Sequence, residues 1–340
     1  MSDRRGELVK LARVLDLPPD VLAHLALDAD SLRSVREALS ASLFDASRPT
    51  MQRVAKASKL LPNGTVARVG EHVFGPLLCA RIVGLLAPEH AIDLALRMPD
   101  EFLADTSALV DPRQAQTLIA AMPTERVVEV AGRLVERGDY VTLARFVDFL
   151  SRETIEAVIA SIRDELVLLH IAAFVESQKK LTELVGLIPR TRLRAMIVAV
   201  GATGGPLWLE ALALTEHLDQ HWKQTIGDLA AELDAAVLQS MLYTARDYAA
   251  WDSVLPLIVA MSEWAQQRFI ELPGIDDVVL VGLLGAADRL GLWQELLPIV
   301  PKMPLRLREM LATLLGGLPT DVIDRILTAA DPHPWLTAAS

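Results

Sequence analysis

The chain of 340 residues has one cysteine, Cys79, and no long hydrophobic run. A single cysteine excludes an internal disulfide framework and a zinc site built from several thiolates. The longest stretch without charge, residues 195–209, spans 15 positions and contains glycine and proline. Because a membrane span needs about 20 largely apolar residues, the sequence predicts no transmembrane helix. We expect Cys79, which lies in an apolar helical segment, to be inert and buried.

A net positive charge and a leader-type apolar segment are also missing, and the densest basic cluster, residues 190–194, is predicted to be the solvated start of a helix. The net charge is −11, and nucleic-acid binding needs grouped Lys and Arg to neutralise phosphates. The same acidity disfavours binding to anionic membrane surfaces. Charges run through the first 20 residues, which do not resemble a signal peptide. We therefore expect a cytoplasmic protein with no nucleic-acid partner.

Strand-like alternation is almost absent, and helical periodicity takes its place. Residues 124–138 carry one apolar stripe at helical spacing, formed by Val127, Val130, Ala131, Leu134 and Val135. Thr124 is the predicted N-cap of that helix. Four prolines predict helix starts nearby, because proline fits the first turn of a helix but not its interior: Pro88, Pro99, Pro112 and Pro123.

Tryptophans recur at a fixed spacing in the C-terminal part of the chain. Trp208, Trp251, Trp293 and Trp335 stand 43, 42 and 42 residues apart, and Trp222 and Trp264 stand 42 apart. A period of about 40 is typical of stacked helical units that bury their apolar faces against neighbours.

Aligning these segments places four large apolar residues at one position of the repeat: Leu143, Leu181, Trp251 and Trp293. We interpret them as residues that pack adjacent units together. Three other tryptophans are candidates for a partner or ligand face: Trp208, Trp222 and Trp264.

The sequence thus predicts an all-α fold, a right-handed α-solenoid of HEAT/armadillo-like short-helix repeats with an N-terminal helical cap. Residues 1–44 form the predicted cap, with three short helices. Residues 45–66, which contain Pro49, are predicted to be a linker or capping segment. Residues 67–340 are predicted to form the helical-repeat array.

Residues 88–150 include the segment APEHAIDLALRMPDEFLADTSALVDPRQAQTLIAAMPTERVVEVAGRL, in which helices alternate with a proline and an acidic residue. This pattern resembles the superhelical N-terminal domain of MgtE-type magnesium transporters and the armadillo-like repeats of FliG-type proteins. The resemblance implies a helical-repeat architecture. No CBS-like or membrane domain follows in the sequence, so it does not imply magnesium transport.

Few residues of the sequence suggest a metal site, a phosphate-binding loop or a catalytic site. Glu216, His217 and His221 are the one metal candidate, because two histidines four apart share a helical face. The residues between the two histidines do not match the HExxH motif of metalloproteases. We therefore expect a solvated helix face without a metal. The glycine-rich run 201–208 lacks the lysine of a phosphate loop and predicts a turn. His170 is predicted to be a hydrogen-bonded core histidine. We expect no catalytic residues and no cofactor.

Two functions remain open at this point. The first is a non-enzymatic adaptor or scaffold that binds a protein or peptide partner in its groove. The alternative is a carrier or sensor that binds a hydrophobic, lipid-like ligand in an apolar pocket between helices. The mean hydropathy of +0.32 is compatible with either an aliphatic core or such a pocket. The apolar stretches at 196–214 and 278–284 are the predicted pocket.

Overall fold

The computed structural model describes residues 2–15 and 17–330, with side chains apart from those of 2, 3 and 43–47. Every regular element in this range is a helix, which confirms the all-α prediction. None of these helices is both long and apolar enough to cross a membrane. The last tryptophan of the periodic series, Trp335, lies outside the described residues.

The chain divides into two compact units, Met1–Ile188 and Pro189–Ser340, here called unit 1 and unit 2. The helices of unit 1 are α1 Ser2–Leu15, α2 Ala29–Ser58, α3 Asn63–Val69, α4 Gly75–Val83, α5 Pro88–Ala95, α6 Asp100–Leu109, α7 Gln116–Ala121, α8 Thr124–Glu136, α9 Tyr140–Phe146, α10 Arg152–Ser161, α11 Glu165–Ala172 and α12 Gln178–Leu187. Short 3-10 turns occur at Pro19–Leu22 and Val147–Phe149, and a π-helical turn at Gly70–Phe74.

The helices of unit 2 are α13 Arg190–Thr203, α14 Pro206–Glu216, α15 Gln220–Glu232, α16 Ala235–Tyr248, α17 Trp251–Ala260, α18 Glu263–Ile270, α19 Asp277–Leu290, α20 Trp293–Leu296, α21 Leu305–Leu315 and α22 Thr320–Ala330. A 3-10 segment, Leu297–Lys302, follows α20. Most are close to the length of the mean globular helix, about three turns.

Many contacts within each unit join helices two apart in the chain, and in unit 2 others join helices three apart, such as α13 with α16. In unit 1, α4, α6, α8 and α10 each pack on the preceding even-numbered helix, starting from α2, and α3–α5, α5–α7 and α9–α11 also pair. In unit 2, α13, α15, α17, α19 and α21 pack in sequence, while α14 pairs with α16 and α20 with α22. Each unit therefore contains alternate helices that stack on one another, with short turns between consecutive helices.

Three of the four proline-marked helix starts agree with the structure. Pro88 begins α5, and Pro99 and Pro123 are the N-cap residues of α6 and α8. The prediction at Pro112 is wrong, since a turn occupies 112–114 and α7 begins at Gln116. The Asp111 carboxylate accepts a bond of 3.2 Å from the Arg113 backbone N–H, a local contact that competes with helix formation.

The N-cap assignment of Thr124 is also wrong. Pro123 occupies the cap without a side-chain bond, and Thr124 is the first helical residue. Its hydroxyl lies 2.9 Å from the Thr154 hydroxyl and so joins α8 to α10 instead of capping α8.

The N-terminal region contains α1, one 3-10 turn and the 30-residue helix α2, where the sequence predicted three short helices. Pro49 lies inside α2 and does not end it. A proline removes one hydrogen bond from the ladder but leaves the rest of the helix bonded. Helix α2 therefore continues across the predicted boundary between 44 and 45. The segmentation into 1–44, 45–66 and 67–340 stays a prediction.

Trp251 and Trp293 begin α17 and α20 in matching local geometry. Each follows a 14-residue helix that ends in a left-handed residue, Ala249 with φ of 53° and Gly291 with φ of 69°. In both places the next residue donates a 2.9 Å backbone bond to the carbonyl five residues earlier. The 42-residue spacing of these two tryptophans therefore corresponds to a repeated turn between helices.

Leu143 and Leu181 occupy a different helical position from the tryptophans. They are the fourth residues of α9 and α12, whereas each tryptophan is the first residue of its helix. Tyr140 is the first residue of α9 and follows left-handed Gly138, so it matches the tryptophan geometry. Alignment by apolar character shifted the register by three residues, because the left-handed turn and not the large side chain sets the start of the helix.

Candidate functional site

Unit 1 contains a cavity of about 200 Å³ with apolar walls. Its lining comes from helices between α4 and α12 and is mainly Leu, Ile and Val, with Phe146 as the single aromatic ring. Among the described residues that line it, only Thr106, Ser107 and Arg126 are polar. The interior of the cavity therefore presents hydrocarbon almost throughout.

The amphipathic stripe of α8 forms part of this wall. Val127, Val130, Ala131 and Leu134 all line the cavity. They follow the i, i+3, i+4, i+7 spacing that places side chains on one face of a helix. The stripe read from the sequence is therefore a cavity wall, apart from Val135, which does not line it.

Thr106 and Arg126, two of the three polar residues in the wall, already have partners within the protein. The Thr106 hydroxyl donates to the Phe102 carbonyl at 2.8 Å. The Arg126 guanidinium donates to the carboxylate of Asp100, and to that of Glu129 at 2.8 Å. It also donates to the carbonyl of Met98. Only its Nε atom is buried without a hydrogen-bond partner. These contacts hold the charge of Arg126 at the edge of the apolar surface.

The apolar cavity lies elsewhere than the two stretches predicted to form a pocket. In residues 196–214 of unit 2, Trp208 and Leu212 are buried core side chains. In residues 278–284, Leu280 and Leu283 are buried, whereas Val278 and Val281 are 51% and 53% exposed. The one sequence signal for the position of this cavity was the apolar stripe of α8, which indicated an amphipathic helix but not what its apolar face contacts.

The two histidines of the predicted metal site do not lie on one continuous helix. Helix α14 ends at Glu216, His217 is its C-cap, and α15 begins at Gln220. His217 and His221 therefore lie on two helices and not on one helical face. The Asp219 carboxylate caps α15 by accepting from the Trp222 backbone N–H, which explains the break. Within the described residues, no group of three possible ligands could hold a metal ion.

The three tryptophans of the predicted partner face have different environments. Trp208 is buried, and its indole N–H donates to the Ser240 hydroxyl at 3.1 Å. Trp222 is half-buried and meets the His221 ring edge-on at 5.4 Å between centroids. Trp264 is 45% exposed. Of the three tryptophans, Trp264 therefore has the side chain that is most accessible to a partner.

The isolated polar candidates behave as structural groups. Burial raises the pKa of the Cys79 thiol to about 11, which keeps it protonated at neutral pH. The His170 ring stacks on Tyr140 with centroids 5.5 Å apart. The glycine-rich run forms the predicted turn, with Gly204 and Gly205 at positive φ between α13 and α14.

A buried charge network in unit 1 was missed by sequence reasoning. The Glu7 carboxylate is 2% exposed and lies 3.1 Å from both Lys10 Nζ and Arg36 Nε. Glu176 Oε1 lies 2.9 Å from Lys10 Nζ and 3.0 Å from Arg36 Nη2. Burial acts to raise the pKa of Glu176, but the charges of Lys10, Arg36 and Arg33 together outweigh it, and the pKa lies below its ordinary value.

Only one local signal pointed to this network. Glu7 and Lys10 are three residues apart on α1, on the same side as the buried Leu8 and Leu11. Glu176 lies far along the chain, and nothing in the sequence connects it with α1.

No protein-family model, no curated protein and no solved structure matches the chain.

Proposed function

We propose that this chain is a non-enzymatic binding protein whose unit 1 holds the hydrocarbon part of a lipid-like ligand in the apolar cavity. The observation that carries the proposal is the cavity wall, in which the hydroxyl of Thr106 and the guanidinium of Arg126 bond to protein atoms. Transfer of an alkyl chain from water to such a wall is favourable by about 25 cal/mol for each Å² of apolar surface buried.

The cavity volume limits the size of the ligand. An engineered apolar cavity of about 150 Å³ is large enough to bind benzene. A cavity of about 200 Å³ therefore suits one alkyl chain on the order of eight carbons, or a ring of similar size. Longer chains would need to extend through the cavity mouth.

The architecture that we propose for both units is the right-handed α-solenoid of HEAT/armadillo-like repeats. The stacking of alternate helices supports it, since each unit of a solenoid contacts its neighbours in sequence. Solenoids bind ligands and partners on the face that their helices enclose. We include a cytoplasmic location in the proposal, supported by the single cysteine.

Filling the cavity tests the ligand proposal. Ala172 lines it, and Ala172→Phe adds a phenyl group in the volume that an alkyl chain would occupy. We expect 1-octanol to bind the unaltered protein in isothermal titration calorimetry and to bind Ala172→Phe at least about tenfold more weakly. The matched control is Ala120→Phe, an exposed position on α7 of the same unit.

Equal octanol affinity in the two variants, with unchanged melting temperatures, would contradict a ligand site in this cavity. So would the absence of any saturable heat with the unaltered protein. Native mass spectrometry of freshly purified protein gives a second measurement, since a bound lipid adds its own mass.

The adaptor function is the second candidate, and the exposed ring of Trp264 favours it. Large aromatic side chains at the centre of an interface often contribute most of its binding energy. We expect Trp264→Ala to remove proteins that the unaltered chain captures from host lysate, with little change in melting temperature. Phe74→Ala, at a ring that is 36% exposed in unit 1, is the control. Identical captured sets for all three proteins would argue against a partner at Trp264.

A further inference from the structure

Unit 1 contains a second cavity, of about 170 Å³, with a different chemical character. It lies among α1, α2, α4, α9 and the turn after α6. Six cationic side chains line it: Lys10, Arg13, Arg36, Arg81, Arg113 and Arg145. Among the described residues that line it, Asp111 is the one carboxylate. We call this cavity the arginine pocket. A local excess of cations is unexpected in a chain with a net charge of −11.

Part of this charge is held rigidly by the buried network. Lys10 and Arg36 bond to Glu7 and Glu176, and Arg33 lies 3.6 Å and 3.7 Å from the same two carboxylates. Arg33 also lies 3.5 Å from Asp30, and Arg36 lies 4.0 Å from Glu37. These ion pairs fix the three cationic side chains in place.

Arg13 forms a bidentate ion pair with Asp139. Its two terminal nitrogens lie 2.5 Å and 2.6 Å from the two carboxylate oxygens of Asp139. The Thr142 hydroxyl accepts from Arg13 at 3.0 Å and donates to Asp139 at 2.8 Å. This wall of the pocket is therefore preorganised, because both partners are fixed by further hydrogen bonds.

Arg145 brings a charge into the pocket without a carboxylate bonded to it. Its guanidinium donates to the carbonyls of Val110 at 2.8 Å and Ala108 at 3.4 Å, at the C-terminal end of α6. Burial lowers the pKa of Arg145 to about 10, which still leaves it protonated at neutral pH. Asp111 acts on this charge without a hydrogen bond to it, and a bound anion would stabilise the half-buried guanidinium further.

Arg81 and Arg113 complete the pocket with groups that can turn toward a ligand. Arg81 has no ion pair or hydrogen bond among the side chains that the structure describes. Arg113 pairs at the surface with Glu37 at 2.8 Å and Asp111 at 3.4 Å, and its side chain is 42% exposed. Surface pairs of this kind contribute little and exchange readily for a better partner.

We propose that the arginine pocket binds the phosphate group of a small molecule or of a lipid headgroup. Guanidinium groups form paired hydrogen bonds to phosphate oxygens, and a recess with low-dielectric walls strengthens those contacts. Arg81 and Arg113 close on the anion, and Arg145 supplies fixed charge from the interior. Helix α9 lines both cavities, through Leu143 and Phe146 in the apolar one and Arg145 in this one, but the phosphate site stands independently of the apolar ligand.

The test uses Arg81→Gln and Arg113→Gln, singly and together, in the full chain. Neither residue supports the buried network, so both variants keep the fold. Arg163→Gln, an exposed arginine between α10 and α11, removes the same charge outside the pocket and is the matched control. Inorganic phosphate is titrated in a calorimeter at low chloride, and the melting temperature is followed against phosphate concentration.

We expect the melting temperature to rise with phosphate, because a ligand that binds only the folded state stabilises it. The double variant should bind phosphate at least about tenfold more weakly, whereas Arg163→Gln should match the unaltered protein. A second arm uses phosphatidylcholine vesicles with and without phosphatidic acid. Sedimentation with phosphatidic acid vesicles alone, lost in the double variant, supports the proposal with a lipid as the source of the phosphate.

Two outcomes would overturn the proposal. One is that neither free phosphate nor phosphatidic acid vesicles bind. The other is that the double variant and Arg163→Gln lose binding equally, which would indicate a general charge effect.

Discussion

Trp251→Ala is expected to lower the free energy of unfolding by about 3–5 kcal/mol, the range for truncation of a large buried aromatic side chain. Trp251 is 6% exposed and begins α17, which packs against α19. Its indole ring lies directly against Gly282, where an added methyl group would overlap the ring. The loss therefore includes the transfer free energy of the ring and the cavity left between the two helices.

Gly282→Ala tests the same contact from the other helix. Glycine inside a helix normally costs about 0.5–1 kcal/mol relative to alanine, so this substitution would ordinarily stabilise α19. Here the new methyl group must displace the Trp251 ring, and overpacking of this kind costs about 1–3 kcal/mol or more. Gly285→Ala is the control, because its methyl group would meet only the terminal Nη1 atom of the long Arg289 side chain, at 3.2 Å.

The measurement is denaturant unfolding followed by circular dichroism, combined in a double-mutant cycle. Trp251→Leu should relieve the overlap, so that Gly282→Ala costs less in that background by about 0.5–3 kcal/mol. Strict additivity of the two changes would show that the ring and the glycine do not meet in solution. A stabilising Gly282→Ala in the native background would lead to the same conclusion.

Glu7→Gln is expected to destabilise unit 1 by about 3–5 kcal/mol, because it leaves buried cations without their counter-charge. Lys10 and Arg36 are 4% and 5% exposed. Both would keep Glu176 as a carboxylate partner, and Arg36 would also keep Glu37 at 4.0 Å. The substitution preserves the shape of the side chain, so the effect reports charge and not volume.

Glu156→Gln provides the comparison for that prediction. Glu156 pairs with Arg152 at 2.9 Å on the surface of α10, with side chains 47% and 77% exposed. Loss of an exposed pair of this type changes stability by about 0.3–0.5 kcal/mol. Thermal and denaturant unfolding of both variants gives the difference. Equal, small effects would mean that water reaches the Glu7 network in solution.

Local patterns predicted much of the secondary structure. The helical period identified α8 and its apolar face, and prolines at 88, 99 and 123 marked three helix starts correctly. These succeed because proline geometry and side-chain spacing act within one turn of the chain. Pro112 and Pro49 failed for the opposite reason, since a local Asp111 bond and the continuation of α2 determined the outcome there.

The candidate sites were predictable only in part. The pairing of His217 with His221 failed because the cap at Asp219 divides the segment into two helices. Leu143 and Leu181 do not share the helical position of the tryptophans, because each tryptophan is the first residue of its helix and each leucine is the fourth. The apolar cavity could not be predicted from the sequence. The spacing of apolar residues in α8 is the same whether that face packs against other side chains or borders an empty volume.

The sequence by itself determined the helical class, the short helix lengths and the tryptophan period, because these depend on spacing along the chain. Only the tertiary structure decided which apolar faces enclose a cavity and which charges meet. Glu176 and Glu7, far apart in the sequence, both pair with Lys10 and Arg36. Arg145 and Arg81, also far apart in the sequence, line the same pocket. Such contacts depend on helix packing, and the low-dielectric interior that strengthens the attraction between charges exists only in the folded chain.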